Sequence, residues 1–215
     1  VSYIKGLFQA SSDIVFRSFS IGKNLEVNAF LVAIDGLHDK IAVNENVLKP
    51  LMNLDFRNFE GTDLLTYIEK SVLTIGSIKK ENSMEKSVAL LMKGDPLLFV
   101  DGLNGIYVLG TRGWEMRSIE EPVTEVSVRG SREGFVETLR TNTSMLRRII
   151  HDPKLQIEQT LLGEITQTDV AIAYMDGIAS PEIVLEVKKR LQRIKIDAVL
   201  ESGYIEAYIE DAAFS

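Results

Sequence analysis

Apolar and polar positions alternate along this chain in two periods, and together they predict interleaved strands and helices. Residues 14–21 (IVFRSFSI) and 25–34 (LEVNAFLVAI) are rich in Val, Ile and Phe and flank a turn at Gly22-Lys23-Asn24, the pattern of two paired strands. Val43, Val47, Leu48, Leu51 and Met52 then recur at helical spacing. A second helix is expected from a Thr62 cap through Leu64, Leu65, Ile68 and Val72, and a short third from a Ser83 cap through Val88 to Met92. The stretch 96–100, the Asp101-Gly102-Leu103-Asn104 turn and 105–109 read as an antiparallel hairpin.

The second half predicts a strand at 123–129, a helix from Ser131 to about Ile150 with Phe135, Leu139, Leu146 and Ile150 as its apolar face, and a strand at 169–175. Ser180-Pro181-Glu182 opens a further helix to Ile194, with Ser180 as cap, Pro181 at the first helical position and a stripe of Ile183, Val184, Val187, Leu191 and Ile194. Strands at 198–201 and 204–209 would complete a β-α-β-α-β-β unit. The polar hexapeptide 117–122, ending in Pro122, separates the halves. The fold expected is therefore α/β with mixed α+β sheets: two small subdomains, 1–117 and 118–215, joined by a short linker.

Composition narrows the chemistry. With 215 residues, 45% of them apolar, the chain can bury one or two cores. It has no cysteine, which removes disulfides, thiolate metal sites and thiol nucleophiles and leaves His38 and His151 as the only imidazoles, so neither metal nor cofactor is expected. A net charge of −7 without a lysine stripe argues against nucleic acid. No apolar run exceeds the length of 170–175, far short of a membrane span, and a start at Val1 reads as that of a piece excised from a longer protein.

Catalytic motifs are missing: GxGxxG, GxxxxGK[ST] and GxSxG do not occur. His38 and His151, each followed by aspartate, would serve a hydrolase only if folding brought a serine to them; surface or capping histidines are the simpler reading. Three Asp-Gly steps follow apolar runs, at 35–36, 101–102 and 176–177. Turn chemistry accounts for them, while Asp35 and Asp176 remain candidates for ligand loops facing a cleft between the subdomains. Glu133 and Glu137 suit the first turns of a helix better than a glycosidase pair.

The segment 117–148 stands out. It holds six of the eleven arginines (Arg117, Arg129, Arg132, Arg140, Arg147, Arg148), none of the thirteen lysines, and Glu120, Glu121, Glu125, Glu133 and Glu137. Guanidinium is a rigid fork that meets carboxylate bidentately, so this bias fits fixed geometry. An internal network, a docking surface for another subunit and an anion site all remain open for it.

The run EEPVTEVSVRGSREGFVETLRTNTSMLRRII (120–150) closely resembles the signature of the GerA family of spore germination proteins, the A subunits of nutrient germinant receptors. Blocks 13–21, 31–39, 166–197 and 202–211 are similar to the family's other soluble blocks, in the same order. Ser131 stands where the family usually has proline, and Ile149 where a third arginine is usual. The resemblance implies a soluble N-terminal domain that senses nutrients, transmits a signal and supports receptor assembly. It implies no enzyme activity and no cofactor. It also implies a complex in the spore inner membrane with B and C subunits and other A subunits, an ion-conducting role, a nutrient germinant as ligand, and membrane attachment through a C-terminal part beyond Ser215, this domain lying on the cytoplasmic or core side. The signature residues it points to for interaction are Glu120, Glu121, Pro122, Glu125, Arg129, Gly130, Arg132, Glu133, Gly134, Phe135, Glu137, Asn142, Arg147 and Arg148. The rival reading is a binding domain for a small solute, an amino acid or a sugar, held in the cleft between subdomains.

Overall fold

The computed structural model describes residues 1–23, 27–55, 67–68, 72–113 and 134–211. Internal contacts divide the chain into two units: Val1–Gln9 with Asp13–Pro153, and Ala10–Ser12 with Lys154–Ser215. The expected boundary at 117/118 and the strand expected at 123–129 lie outside the described residues, as do Leu64 and Leu65 of the second expected helix. Residues 134–153 group with the first unit.

In the first unit, α1 (Ser2–Leu7) precedes the expected strand pair, β1 (Ile14–Ile21) and β2 (Val27–Ile34). The next helical stretch has three pieces: α2 (Lys40–Val43), a π-helical turn (Asn44–Leu48) and α3 (Lys49–Met52). Pro50 has no N–H to offer the carbonyl four residues back, and that carbonyl, of Asn46, accepts from Thr74 N instead. β3 (Ile78–Glu81), α4 (Met84–Leu91), β4 (Leu97–Val100), β5 (Ile106–Leu109) and α5 (Leu139–Ile149) follow. Ser83 caps α4 by accepting from Lys86 N, as its spacing predicts.

The five strands form one antiparallel sheet in the order β1-β2-β4-β5-β3. β2 is apolar at nearly every position because both sheet faces are covered. Ala29 and Leu31 join Val47, Leu48, Leu51, Leu98 and Tyr107 on one side, while Phe30, Val32 and Ile34 join Ile4, Phe8, Leu91 and Leu97 on the other. β3 is absent from the sequence reading because IKKE is polar. It is a four-residue edge strand, where outward lysines discourage further pairing.

The second unit holds β6 (Leu155–Leu162), β7 (Thr168–Met175), α6 (Pro181–Arg193) and α7 (Ser202–Ile209). β6 and β7 pair antiparallel from Leu155↔Met175 to Leu162↔Thr168. β6 is unannounced because polar side chains interrupt it: Gln156 is buried, its side-chain carbonyl accepting from the Ser11 hydroxyl. The strands expected at 198–201 and 204–209 are not formed. YIEAYI satisfies both periods, and helix wins because Ile205 and Ile209, four apart, pack together on the core of Leu162, Leu191, Ile194 and Val199. No β-α-β-α-β-β unit results. Ser180 makes no cap to a backbone N–H; its hydroxyl donates to the Glu182 carboxylate, and Ile183 of the expected stripe is exposed.

Candidate functional site

The arginine-rich segment meets the first unit's sheet through α5. The helix begins at Leu139, later than the expected Ser131. Residues 134–138 are held out of the helix by Asn142: its Oδ1 accepts from Val136 N at 2.8 Å and its Nδ2 donates to Val136 O at 2.7 Å. This side chain saturates Val136 as a neighbouring strand would, so the signature Asn142 has a structural task that no motif announces.

The helix lies with a polar face inward. Arg147 is 0% exposed, and its Nε and Nη2 donate to Asp13 Oδ2 and Oδ1 at 2.7 and 2.9 Å. Thr143, Ser144 and the apolar Met145 are buried beside it, whereas Phe135, expected on the apolar face, is 69% exposed, Leu139, Leu146 and Ile150 are half-buried, and Ile149 is 66% exposed. A buried fork on a buried carboxylate outweighs the hydrophobic pattern here, because leaving either charge alone costs more than leaving an isoleucine wet.

Two turns earlier in α5, Arg140 Nε lies 3.0 Å from Asp35 Oδ2, and Lys40 Nζ lies 2.7 Å from Asp35 Oδ1. Asp13 and Asp35 flank the paired ends of β1 and β2, where Asp35 N donates to Asp13 O. The two arginines, seven apart, therefore grip one end of one strand pair. Gly36 permits the approach: its φ is +86°, and a Cβ there would lie 2.9 Å from Ser144 Cβ. The other two Asp-Gly glycines, Gly102 and Gly177, also have positive φ, so turn chemistry holds at all three steps.

Between α5 and the Asp35 turn is a cleft of about 430 Å³, lined among others by His38, Lys40, Thr138, Arg140 and Thr141. Its charges are paired rather than free, since Asp35 stands between two cations. His38 Nδ1 contacts Ile34 O at 2.8 Å and the Ser144 hydroxyl donates to Thr141 O, so the serine and imidazole that share this cleft are turned to carbonyls and form no nucleophile–base relay. Beside it, Arg112 forks onto Asp95, and that hydrogen bond holds the guanidinium pKa above its usual range. Among the described residues no group of His, Asp and Glu could hold a metal ion.

Of the signature residues, Glu120, Glu121, Pro122, Glu125, Arg129, Gly130, Arg132 and Glu133 lie outside the described residues. Gly134 and Arg148 are half-buried and Glu137 is exposed. Asp35 belongs to the first unit and Asp176 to the second. Asp13, the partner that fixes Arg147, was missed by sequence reading. It sits 134 residues away in a loop and carries no local signal.

Residues 2–215 match the family described as Bacillus/Clostridium GerA spore germination protein. This chain belongs to the GerA family. Spore germination protein KA of Bacillus subtilis (strain 168) is 41% identical over 206 residues, which cover 96% of this chain and 38% of that protein. The membrane protein YfkQ of the same organism is 42% identical over 210 residues, covering 97% of this chain and 40% of that protein. The chain thus spans about two-fifths of these relatives. The crystal structure of the N-terminal domain of the A subunit of the Bacillus megaterium spore germinant receptor GerK3 matches all of this chain and 78% of that one, with a TM-score of 0.73 and 35% identity. The GerA chain is accordingly an N-terminal-domain fold of mixed α and β structure. Among the described residues no helix is long and apolar enough to cross a membrane.

Proposed function

We propose that this GerA domain works as the signal-transmitting and assembly module of a germinant receptor A subunit, acting with B and C subunits at the spore inner membrane to couple nutrient sensing to germination. The inverted burial of α5 carries this reading. Among the described residues, Arg140 and Arg147 of the signature run are taken up by Asp35 and Asp13 in fixing the helix to the sheet, while Phe135 and Ile149 are held at the surface. An exposed aromatic on a hydrogen-bonded bend fits an anchor for another subunit, since aromatic side chains dominate interface energetics. The test places Phe135→Ser and Ile149→Asp, or charge reversal at Arg129 or Glu133, in the full-length receptor. Receptor assembly and germination fall if these side chains meet a partner. Wild-type levels of both overturn the assignment.

A second reading is supported by the cleft beside Asp35. A carboxylate flanked by Lys40 and Arg140, ringed by the hydroxyls of Thr138 and Thr141, suits a small zwitterionic or polyhydroxyl solute. Calorimetry with amino acids and sugars tests it, and absence of heat at millimolar solute removes it.

A further inference from the structure

Residues 101–105 connect β4 to β5, and they include the only Asn-Gly step in the chain, Asn104-Gly105. Gly105 has φ +112°, a backbone conformation that favours glycine, and a Cβ on it would also meet the stem of a β3 lysine, 2.6 Å from Lys80 Cε and 3.0 Å from Lys80 Cγ. Asn104 is exposed. Its backbone carbonyl accepts from the Tyr107 hydroxyl at 3.5 Å, while among the described residues neither its side-chain amide nor the Gly105 N–H enters a hydrogen bond. Neighbouring Asp101-Gly102 differs: there the Gly102 N–H is engaged by Asp101 Oδ1 at 3.1 Å. At Asp35-Gly36 the carboxylate is held by two cations.

We infer that Asn104-Gly105 is a site of spontaneous covalent modification, converting to aspartyl and isoaspartyl products through a succinimide. The Gly105 backbone nitrogen, after giving its proton to hydroxide, attacks Asn104 Cγ. The bond from Cγ to the side-chain nitrogen breaks and that nitrogen leaves as ammonia, closing a five-membered ring. Water then opens either ring carbonyl, yielding aspartate at 104 or its β-linked isomer; the balance is one water in and one ammonia out, with no oxidant or cofactor. Glycine favours the attack because no Cβ obstructs the approaching nitrogen.

The consequence reaches the middle of the sheet. Both products put a carboxylate into a turn covered by Lys80, and the isoaspartyl form adds a methylene to the backbone joining β4 and β5, which pair at Leu97↔Val108 and Leu98↔Tyr107. The protein thereby accumulates negative charge and a lengthened hairpin connection with age.

Incubating the folded domain at pH 8.5 and at pH 5, then mapping peptides by mass and assaying isoaspartyl groups by enzymatic methyl transfer, tests this. The expected result is conversion confined to the peptide holding residue 104, faster at pH 8.5, with both products present. Asn104→Gln should abolish the signal without altering the backbone, whereas Gly105→Ala is a poor control because it strains the turn. If residue 104 stays intact while a free peptide of residues 97–109 converts, the fold protects it and the inference fails. Conversion at equal rates in other asparagine peptides overturns it as well.

Discussion

The two units solve the same problem with unequal means. The first covers both faces of a five-stranded sheet and buries an ion pair against its strand ends, whereas the second rests a two-stranded hairpin on α6 and α7 with four buried apolar side chains at its centre. A thin core must be supplemented by polar contacts. In the second unit Tyr174 donates to Glu158, Lys188 reaches the same carboxylate at 2.6 Å, and Thr168 and Thr166 hydroxyls tie down Val199. Specificity in the first unit depends on one desolvated charge pair; in the second it is spread over partly wet hydrogen bonds.

The sharpest break in that contrast is Arg147→Met. It leaves Asp13 buried and unpaired, and unfolding in denaturant should show a loss of about 3–5 kcal/mol, whereas Asp13→Leu with Arg147→Met should recover much of it. A similar loss from Arg140→Met, whose partner Asp35 keeps Lys40, would show that the two arginines are equivalent and erase the distinction. Next comes Leu191→Ala in the second unit, expected to cost about 2–4 kcal/mol and to release α6 and α7 to hydrogen exchange while β1 and β2 stay protected. Simultaneous exposure of both units would mean they unfold as one. Gly36→Ala should cost about 1–2 kcal/mol from the left-handed backbone, more if Ser144 cannot yield, read as a lowered midpoint with an unchanged denaturant slope.

The smallest effect is in pH. Burial and the hydrogen bond to Glu158 push Tyr174 up to about 12 from 10.0. The folded state then holds the phenolic proton more tightly than the unfolded chain does. The associated stability is intact below pH 10 and is lost as pH rises from 10 toward 12. Tyr174→Phe should flatten that decline, and an unchanged alkaline limb would relocate it to another group.

Local chemistry made most of the first unit, and one helix of the second, readable. The pairing of 14–21 with 27–34, the Ser83 cap, the hairpin at 97–109 and helix 181–193 each follow from neighbouring residues: period, turn glycine, capping hydroxyl, proline at a helix start. The elements that escaped were those whose polar residues acquire partners far along the chain. Gln156 is strand-compatible only because Ser11 meets it, and IKKE is a strand only because β5 supplies an edge. The YIEAYI helix reflects the same dependence: its two isoleucines choose helix once a core exists to receive them.

The GerA site divides along the same line. An arginine-only, glutamate-rich run points to fixed geometry, because guanidinium forks lose little freedom in pairing, but by itself leaves an internal network, a docking surface and an anion site open. Which arginine turns inward, and that a helix would bury its polar side in preference to its leucines, depended on the tertiary placement of Asp13 and Asp35 at the strand ends. A charge's burial is decided by the partner opposite it, and no periodicity within eleven helical residues can report on a carboxylate 134 positions away.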